Sequence, residues 1–576
     1  MKAAVAAMGA MAAAKVPGAG ILLAPRTARA ADARVEILLG ERIGPITADL
    51  YGHFVEHLGG VVYDGVWVGQ DSKVPNTGGI RQALVDHMRR IPGGAIRWPG
   101  GCFADSYDWR DGIGPFARRP TRTNFWIDEP SMLKRPDGPW KQDPNAFGTN
   151  EFVRLCRLAG GAPYFAANVR SLPARDFYQW IEYCNAPAGA NTLATMRAAA
   201  GDRDPFNVRF WGVGNESWGC GGEFTPEEYA TEYRRFTAWV PRYGVDLAFI
   251  GSGPNSADLG WSRRFFTKLL EKGEGQLRRM WGWGLHHYSW NTSRGATTDW
   301  YQGKGDAIKF SDDEWYELLN EADRMEGLIT GHWAVMGELD RRHRVKLVVD
   351  EWGAWYREGS EVHPSHLLGQ QSTMRDALLA ALTFDTFHRH SDKVAMANVA
   401  QLVNCLQSLF LAYEDRFVAT PTFHVFEMYG AHVGGESVRT VFSAPRIQYQ
   451  RVDATGSFWG LGGSASLKGR TLTVTMVNPH VSEPRHVEIA VRGATAASAQ
   501  ALVLAAPDRS GRSGESSAGA RSAKVEAASV DIHAHNTFES PRSVQPQPAT
   551  VDAPRDGTIV YELRPASVTR LTVQLA

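Results

Sequence analysis

A chain of 576 residues exceeds one ordinary domain, so two or three are expected, with ample length for a large core. Lys+Arg and Asp+Glu balance at 62 each and are evenly mixed, so no overall field favours a polyanion, which argues against nucleic acid or a charged membrane surface as partner. Aromatic residues make up 11% of the chain and Trp alone numbers 19, a composition that suits a cleft for neutral rings as well as a core.

The first thirty residues read as an export segment. Met1-Lys2 leads an Ala- and Met-rich run, and Ala28-Arg-Ala30 is a small-residue cleavage pattern, so residues 1–30 are expected to be a signal and the mature chain to begin near Ala31. That predicts a periplasmic or extracellular protein, or a cytoplasmic one if the segment is not a functional signal. No later stretch offers about 18 uninterrupted apolar residues, so no membrane span is expected. Residues 31–45 hold a short strand, 35–39, ahead of the main repeat.

From residue 46 short apolar segments recur at 50–54, 95–99, 163–169, 208–214, 245–251, 284–288, 345–349 and 394–403. Helical spacing separates them: Ile80, Leu84, Met88 and Ile91 share one face, as do Tyr229, Tyr233, Phe236 and Val240, and shorter patterns run through 151–158, 265–270, 314–319 and 373–387. Thr225-Pro226-Glu227-Glu228 opens one helix with an N-cap, a first-turn proline and two acids at the positive end of the dipole. Strands alternating with helices imply parallel units, and eight of them predict an α/β fold, a closed (β/α)8 TIM barrel over 46–434. At about 390 residues this exceeds the usual roughly 250, so long loops at 100–149 and 289–312 are expected to build a cleft at the catalytic face. From 435 to 576 the helices cease, and β-rich runs at 471–477, 486–491, 500–504 and 568–573 predict a C-terminal all-β sandwich with a flexible excursion at 506–524.

Two stretches carry chemistry. Val208-Arg-Phe-Trp-Gly-Val-Gly-Asn-Glu-Ser-Trp218 reads as a buried strand that stops at a glycine and presents Asn215 and Glu216 beyond its end. Val345-Lys-Leu-Val-Val-Asp-Glu-Trp-Gly353 repeats the plan with Glu351. Each Glu alone could cap a helix or lie in solvent, but two strand-end glutamates with aromatic neighbours point to glycoside hydrolysis. His53-Phe-Val-Glu-His57 matches a zinc-hydrolase pattern that works on a helix; after a strand, four residues span about 13 Å, too far for one ion. Cys102, Cys156, Cys184, Cys220 and Cys405 show no paired spacing, so neither a disulfide framework nor a Cys-x-x-Cys metal site is expected. The alternatives are a related retaining barrel glycosidase of the endo-glucanase or xylanase type, a silent carbohydrate-binding barrel, and zinc hydrolysis.

Tyr51-Gly-His-Phe-Val-Glu-His-Leu-Gly59, Arg97-Trp-Pro-Gly-Gly-Cys-Phe103 and Tyr107-Asp-Trp-Arg-Asp-Gly-Ile-Gly-Pro115 are followed in order by the Asn215-Glu216 stretch, His286-His-Tyr288, Val349-Asp-Glu-Trp352, Asn398-Val-Ala-Gln-Leu-Val-Asn404 and Asp531-Ile-His-Ala-His-Asn-Thr-Phe538. Together these segments, over roughly 35–576, resemble the α-L-arabinofuranosidases of glycoside hydrolase family 51. The resemblance implies a retaining, exo-acting enzyme that releases terminal L-arabinofuranose from arabinan, arabinoxylan or arabino-oligosaccharides without a cofactor or metal. It implies Glu216 as general acid/base and Glu351 as nucleophile, with substrate-binding roles for Glu56, Cys102, Asn215, Tyr288 and Gln401. Asn is the alternative at the position of Cys102, and Cys is the weaker hydrogen-bonding group. A jelly-roll-like β domain that takes in the strand at 31–45, and a homo-oligomer, often a hexamer, are also implied.

Overall fold

The computed structural model describes residues 31–129, 132, 134, 137–292, 304–452, 454–509 and 530–576; the signal expected at 1–30 and most of the excursion expected at 506–524 lie outside the described residues. Eight short strands close into a parallel barrel: β1 Gly52–Phe54, β2 Ala95–Trp98, β3 Ala162–Ala167, β4 Phe210–Val213, β5 Ala248–Gly251, β6 Gly282–Ser289, β7 Lys346–Ala354 and β8 Val394–Val399. Each neighbours the next, and β8 returns to β1 through the pairs Asn398 with Gly52 and Val399 with His53. Every expected apolar segment is thus a barrel strand. β1 starts later than expected because Ala48–Tyr51 coils into a 3-10 turn, whereas β7 continues past its apolar run to include Glu351.

The strands are apolar towards both faces, as a sheet covered on both sides requires. Tyr164, Phe210, Ile250, Val348 and Met396 form one buried cluster, while Trp98, Trp211, Trp283 and Trp352 belong to the larger core shared with the helices. Pro226–Thr237 starts as its sequence dictates: Thr225 Oγ1 accepts the Glu228 N–H at 3.4 Å and the Glu228 carboxylate accepts the Thr225 N–H at 2.8 Å. Asp312–Leu339 is capped in the same way by Ser311 and Glu314. It runs 28 residues, far beyond the stretch at 314–319, because its buried stripe continues through Ala322, Met325, Ile329 and Met336.

Beyond the barrel, a nine-stranded and mostly antiparallel sheet fits the expected β-sandwich. Ala33–Pro45 lies inside it, antiparallel to Glu436–Ser443 and parallel to Arg485–Arg492. The alternating residues Val35, Ile37, Leu472, Val474, Val487 and Ile489 are buried in its own core. The barrel helix Met374–Arg389 packs against this sheet and buries Asp385, whose carboxylate accepts from Ser464 Oγ at 2.7 Å, Thr475 Oγ1 at 3.1 Å and the Tyr429 hydroxyl at 3.1 Å. Burial, only partly offset by these hydroxyls and Arg389, pushes Asp385 up to about 7 from an ordinary 3.8. A raised carboxyl contributes stability that is complete below the ordinary carboxylate range and is lost as pH rises through about 7. Asp385→Asn, which keeps the shape but cannot ionise, should therefore show a smaller fall in Tm between about pH 5 and about pH 8 than the parent. Equal falls in a thermal-melt comparison would show that Asp385 carries none of the slope.

Candidate active site

After the fully buried β4, Gly214 turns the chain at φ +83°, and Asn215 and Glu216 follow. Glu216 is itself held at φ +38°, a conformation that a residue with a side chain keeps only where its surroundings enforce it. Two contacts do so. The Asn215 N–H donates to the buried Asp105 Oδ2 at 3.1 Å, and Gly221 passes so close that a Cβ there would lie 1.7 Å from the Asn215 carbonyl oxygen. Asp105 also accepts the N–H groups of Val169 and Arg170 at 2.7 and 3.2 Å, so one carboxylate ties the ends of β3 and β4 to the loop after β2. Its burial pushes it up to about 7 despite these bonds.

Glu351, on β7, lies in register with His286 on β6. Arg97, at the end of β2, spans both catalytic candidates' surroundings: Nη1 donates to Glu351 Oε1 at 2.6 Å and Nη2 to Asn215 Oδ1 at 2.5 Å. The Tyr288 hydroxyl donates to Glu351 Oε2 at 2.7 Å. His286 Nδ1 lies 2.9 Å from Glu216 Oε1 and 3.4 Å from Glu351 Oε2, while its Nε2 lies 3.3 Å from Asp350 Oδ1. Burial works against the imidazolium, but Glu351, Asp350 and Glu216 outweigh it and raise His286 to about 10, so both ring nitrogens carry protons at neutral pH. One oxygen of Glu216, one of Glu351 and a nitrogen of His286 fall within 4.8 Å of one another. Oxygens this close are compatible with the roughly 5 to 5.5 Å between the carboxyl groups of a retaining pair.

A cavity of about 680 Å³ opens over these groups, and Glu56, Cys102, Asn215, Glu216, Tyr288, Glu351 and Gln401 all line it. Glu56 and Gln401 hold each other, the Glu56 N–H donating to Gln401 Oε1 at 3.0 Å and Gln401 Nε2 donating to Glu56 Oε2 at 3.2 Å. Glu56 Oε1 accepts from the Phe103 N–H and from Trp126 Nε1. Burial raises Glu56 to about 8, and the charge of Glu351 adds to that. Trp126, Trp218, Trp290 and Trp355 supply the aromatic walls. Arg97, Asp105, Asp350 and Trp126 were not among the residues singled out from the sequence; an arginine inside an apolar strand was the one readable signal.

Contrary to the absence of a disulfide expected from their spacing, Cys102 and Cys220 form a disulfide across 118 residues, because the loops after β2 and β4 meet above the barrel. Cys102 therefore presents a disulfide sulfur to the cavity and no thiol. Cys156, Cys184 and Cys405 are buried and free, as expected of isolated cysteines. The two histidines of the zinc-like pattern part company. His53 stacks on Phe426 at 5.3 Å, and His57 Nδ1 pairs with Asp143 Oδ2 at 2.6 Å, so that pattern forms no shared ligand pair.

Two family models match the chain, an α-L-arabinofuranosidase 1 domain over 87–305 and an α-L-arabinofuranosidase C-terminal domain over 350–567. A protein of Bacteroides ovatus named intracellular exo-α-L-arabinofuranosidase is 33% identical over 92% of this chain and 93% of its own length. An Acetivibrio thermocellus protein named intracellular exo-α-(1→5)-L-arabinofuranosidase is 27% identical over 65% of this chain and 70% of its own. The crystal structure of a GH51 arabinofuranosidase from Xanthomonas axonopodis pv. citri superposes with a TM-score of 0.82 at 32% identity, covering 94% of this chain and all of the other. The names of the first two overturn the export expected from Ala28-Arg-Ala30, since both relatives are named as intracellular. Small residues spaced in that way recur by chance in Ala-rich sequence, and Lys15 and Pro17 interrupt the apolar run on which an export signal depends.

Proposed function

The chain belongs to the α-L-arabinofuranosidases of glycoside hydrolase family 51, a retaining family, and from that premise we propose how its residues divide the reaction. The activity is removal of terminal α-L-arabinofuranosyl groups by double displacement. Glu351 is the nucleophile. Arg97 and Tyr288 each donate to one of its oxygens, which aims the carboxylate at the anomeric carbon as positive charge develops there. Glu216 is the acid/base. His286 donates its Nδ1 proton to Glu216 Oε1, which leaves Oε2 to carry the proton that passes to the glycosidic oxygen. As the leaving group departs, Glu351 bonds to C1 of the sugar; Glu216, now a carboxylate, takes a proton from water, and the water oxygen displaces Glu351.

Asn215, positioned by Arg97 and Asp105, is placed for the sugar's 2-hydroxyl, where a hydrogen bond strengthens in the transition state. Glu56 and Gln401 take further hydroxyls, and Cys102 contributes a wall. Arabinan, arabinoxylan and arabino-oligosaccharides are the substrate class. A homo-oligomer, hexameric by the family resemblance, belongs to the same reading, although every group named here comes from one chain.

The observation that carries this reading is the pair of strand-end carboxylates that meet at His286 over one cavity, Glu216 Oε1 at 2.9 Å and Glu351 Oε2 at 3.4 Å from its Nδ1. A panel of aryl glycosides, followed by nuclear magnetic resonance of the first product formed in the presence of methanol, tests it. We expect turnover of the α-L-arabinofuranoside far above the β-D-xyloside and β-D-glucoside, and a methyl glycoside of unchanged α configuration. A β product, or a preference for the glucoside, would overturn the assignment.

A further inference from the structure

Cys102 and Cys220 sit beside the proton donor with their Cα atoms 5.5 Å apart. One sulfur of each and one carboxylate oxygen of Glu216 lie within 4.8 Å of one another, and Cys220 Sγ is 3.7 Å from Glu216 Oε2. While the sulfurs are bonded to each other they carry no charge and cannot chelate a cation. We propose that in the reduced protein Cys102, Cys220 and Glu216 form a site for a thiophilic divalent cation of the Zn²⁺ or Cd²⁺ class, and that filling this site switches the enzyme off.

Disulfides are stable in oxidising surroundings and are opened in reducing ones. A dithiol reductant supplies the two electrons and two protons: its own sulfurs join, the Cys102–Cys220 bond breaks, and each cysteine sulfur gains one proton. Binding of the cation releases those two protons and forms two metal–thiolate bonds. Tetrahedral coordination at about 2.3 Å per bond needs the sulfurs about 3.8 Å apart, a separation within reach of two side chains anchored 5.5 Å apart. Glu216 Oε2 is the third ligand, and the fourth position faces the cavity and takes water. The oxygen captured is the one that delivers the proton in the reaction, so occupation removes the general acid. The other metal-capable group among the described residues, Glu216 with His286 and Glu351, lacks soft ligands. Cys156, Cys184 and Cys405 are buried and belong to neither group.

The binding half of this proposal stands on geometry alone; the inhibition half rests on the reading of Glu216 as acid/base. The test titrates Cd²⁺ into the full chain, oxidised or reduced with dithiothreitol that is then removed under anaerobic conditions, and follows both the cadmium–thiolate charge-transfer absorption and hydrolysis of an aryl α-L-arabinofuranoside. The reduced protein should bind roughly one Cd²⁺ per chain, lose turnover in step with occupancy and regain it on chelation, whereas the oxidised protein should do neither. The combined variant Cys102→Ser, Cys220→Ser should show no charge-transfer band. No band in the reduced parent, an equal band in the oxidised parent, or a band that survives in the double variant overturns the site. Cadmium bound at this pair without loss of turnover overturns the inhibition. Absence of turnover by the oxidised, metal-free parent would instead sink the proposed activity on this substrate, and the absorption measurement would still decide the binding.

Discussion

Glu351→Ala will leave the enzyme nearly inert on every α-L-arabinofuranoside, with losses on the order of ten-thousand-fold or more whatever the leaving group, as expected when a covalent nucleophile is deleted. The reason is the position of its two oxygens. Arg97 at 2.6 Å and Tyr288 at 2.7 Å hold them, and no other described carboxylate has both donors. Asp350, the neighbouring acid, is committed elsewhere: its Oδ2 accepts from the Tyr164 hydroxyl at 2.9 Å and its Oδ1 faces His286. It cannot turn to substitute. Steady-state rates on 4-nitrophenyl and alkyl arabinofuranosides, with circular dichroism to confirm folding, measure the effect; a folded variant within about tenfold of the parent would remove Glu351 from the nucleophile's role.

Glu216→Ala will fail selectively. A nitrophenolate departs without being protonated, so the variant should still form the arabinosyl intermediate from an activated aryl substrate and then stall for lack of a base to activate water. Natural linkages need the acid in the first step and should lose the roughly hundred- to ten-thousand-fold typical of general acid–base catalysis, and more than the aryl substrate loses. Azide needs no base and fits the space left beside His286 and Cys220, so it should restore turnover of the aryl substrate and yield an α-arabinofuranosyl azide. Rates across a leaving-group series, with and without azide, read this directly. Equal losses on good and poor leaving groups with no azide rescue would mean that Glu216 is structural.

His286 keeps acidic partners in both variants. In Glu351→Ala, His286 keeps Asp350 and Glu216 as partners, and in Glu216→Ala it keeps Asp350 and Glu351. Each variant thus leaves His286 two of its three acidic partners, while removing one of the charges that raise it.

Much of this was legible in the residues. Short β-branched and aromatic runs separated by amphipathic stretches can bury both faces only as parallel strands under helices, so the barrel followed from pattern. The positions of Glu216 and Glu351 immediately after two of those runs placed both at the catalytic end, and the Thr225 cap announced its helix, because capping is local chemistry. What the sequence could not determine was every contact made by closure. Arg97 reaches Glu351 and Asn215 across 254 and 118 residues, Ala33–Pro45 finds its partner strands some four hundred residues later, and Asp385 meets Ser464 and Thr475 only where barrel and sheet pack. The Cys102–Cys220 bond is of the same kind: neither residue's neighbours encode its partner, and the two sulfurs meet only because β2 and β4 end at the same rim of a closed barrel. Periodicity and caps act over one or two turns of chain and can be read in order, whereas loop closure brings together groups whose separation along the chain carries no information about their separation in space.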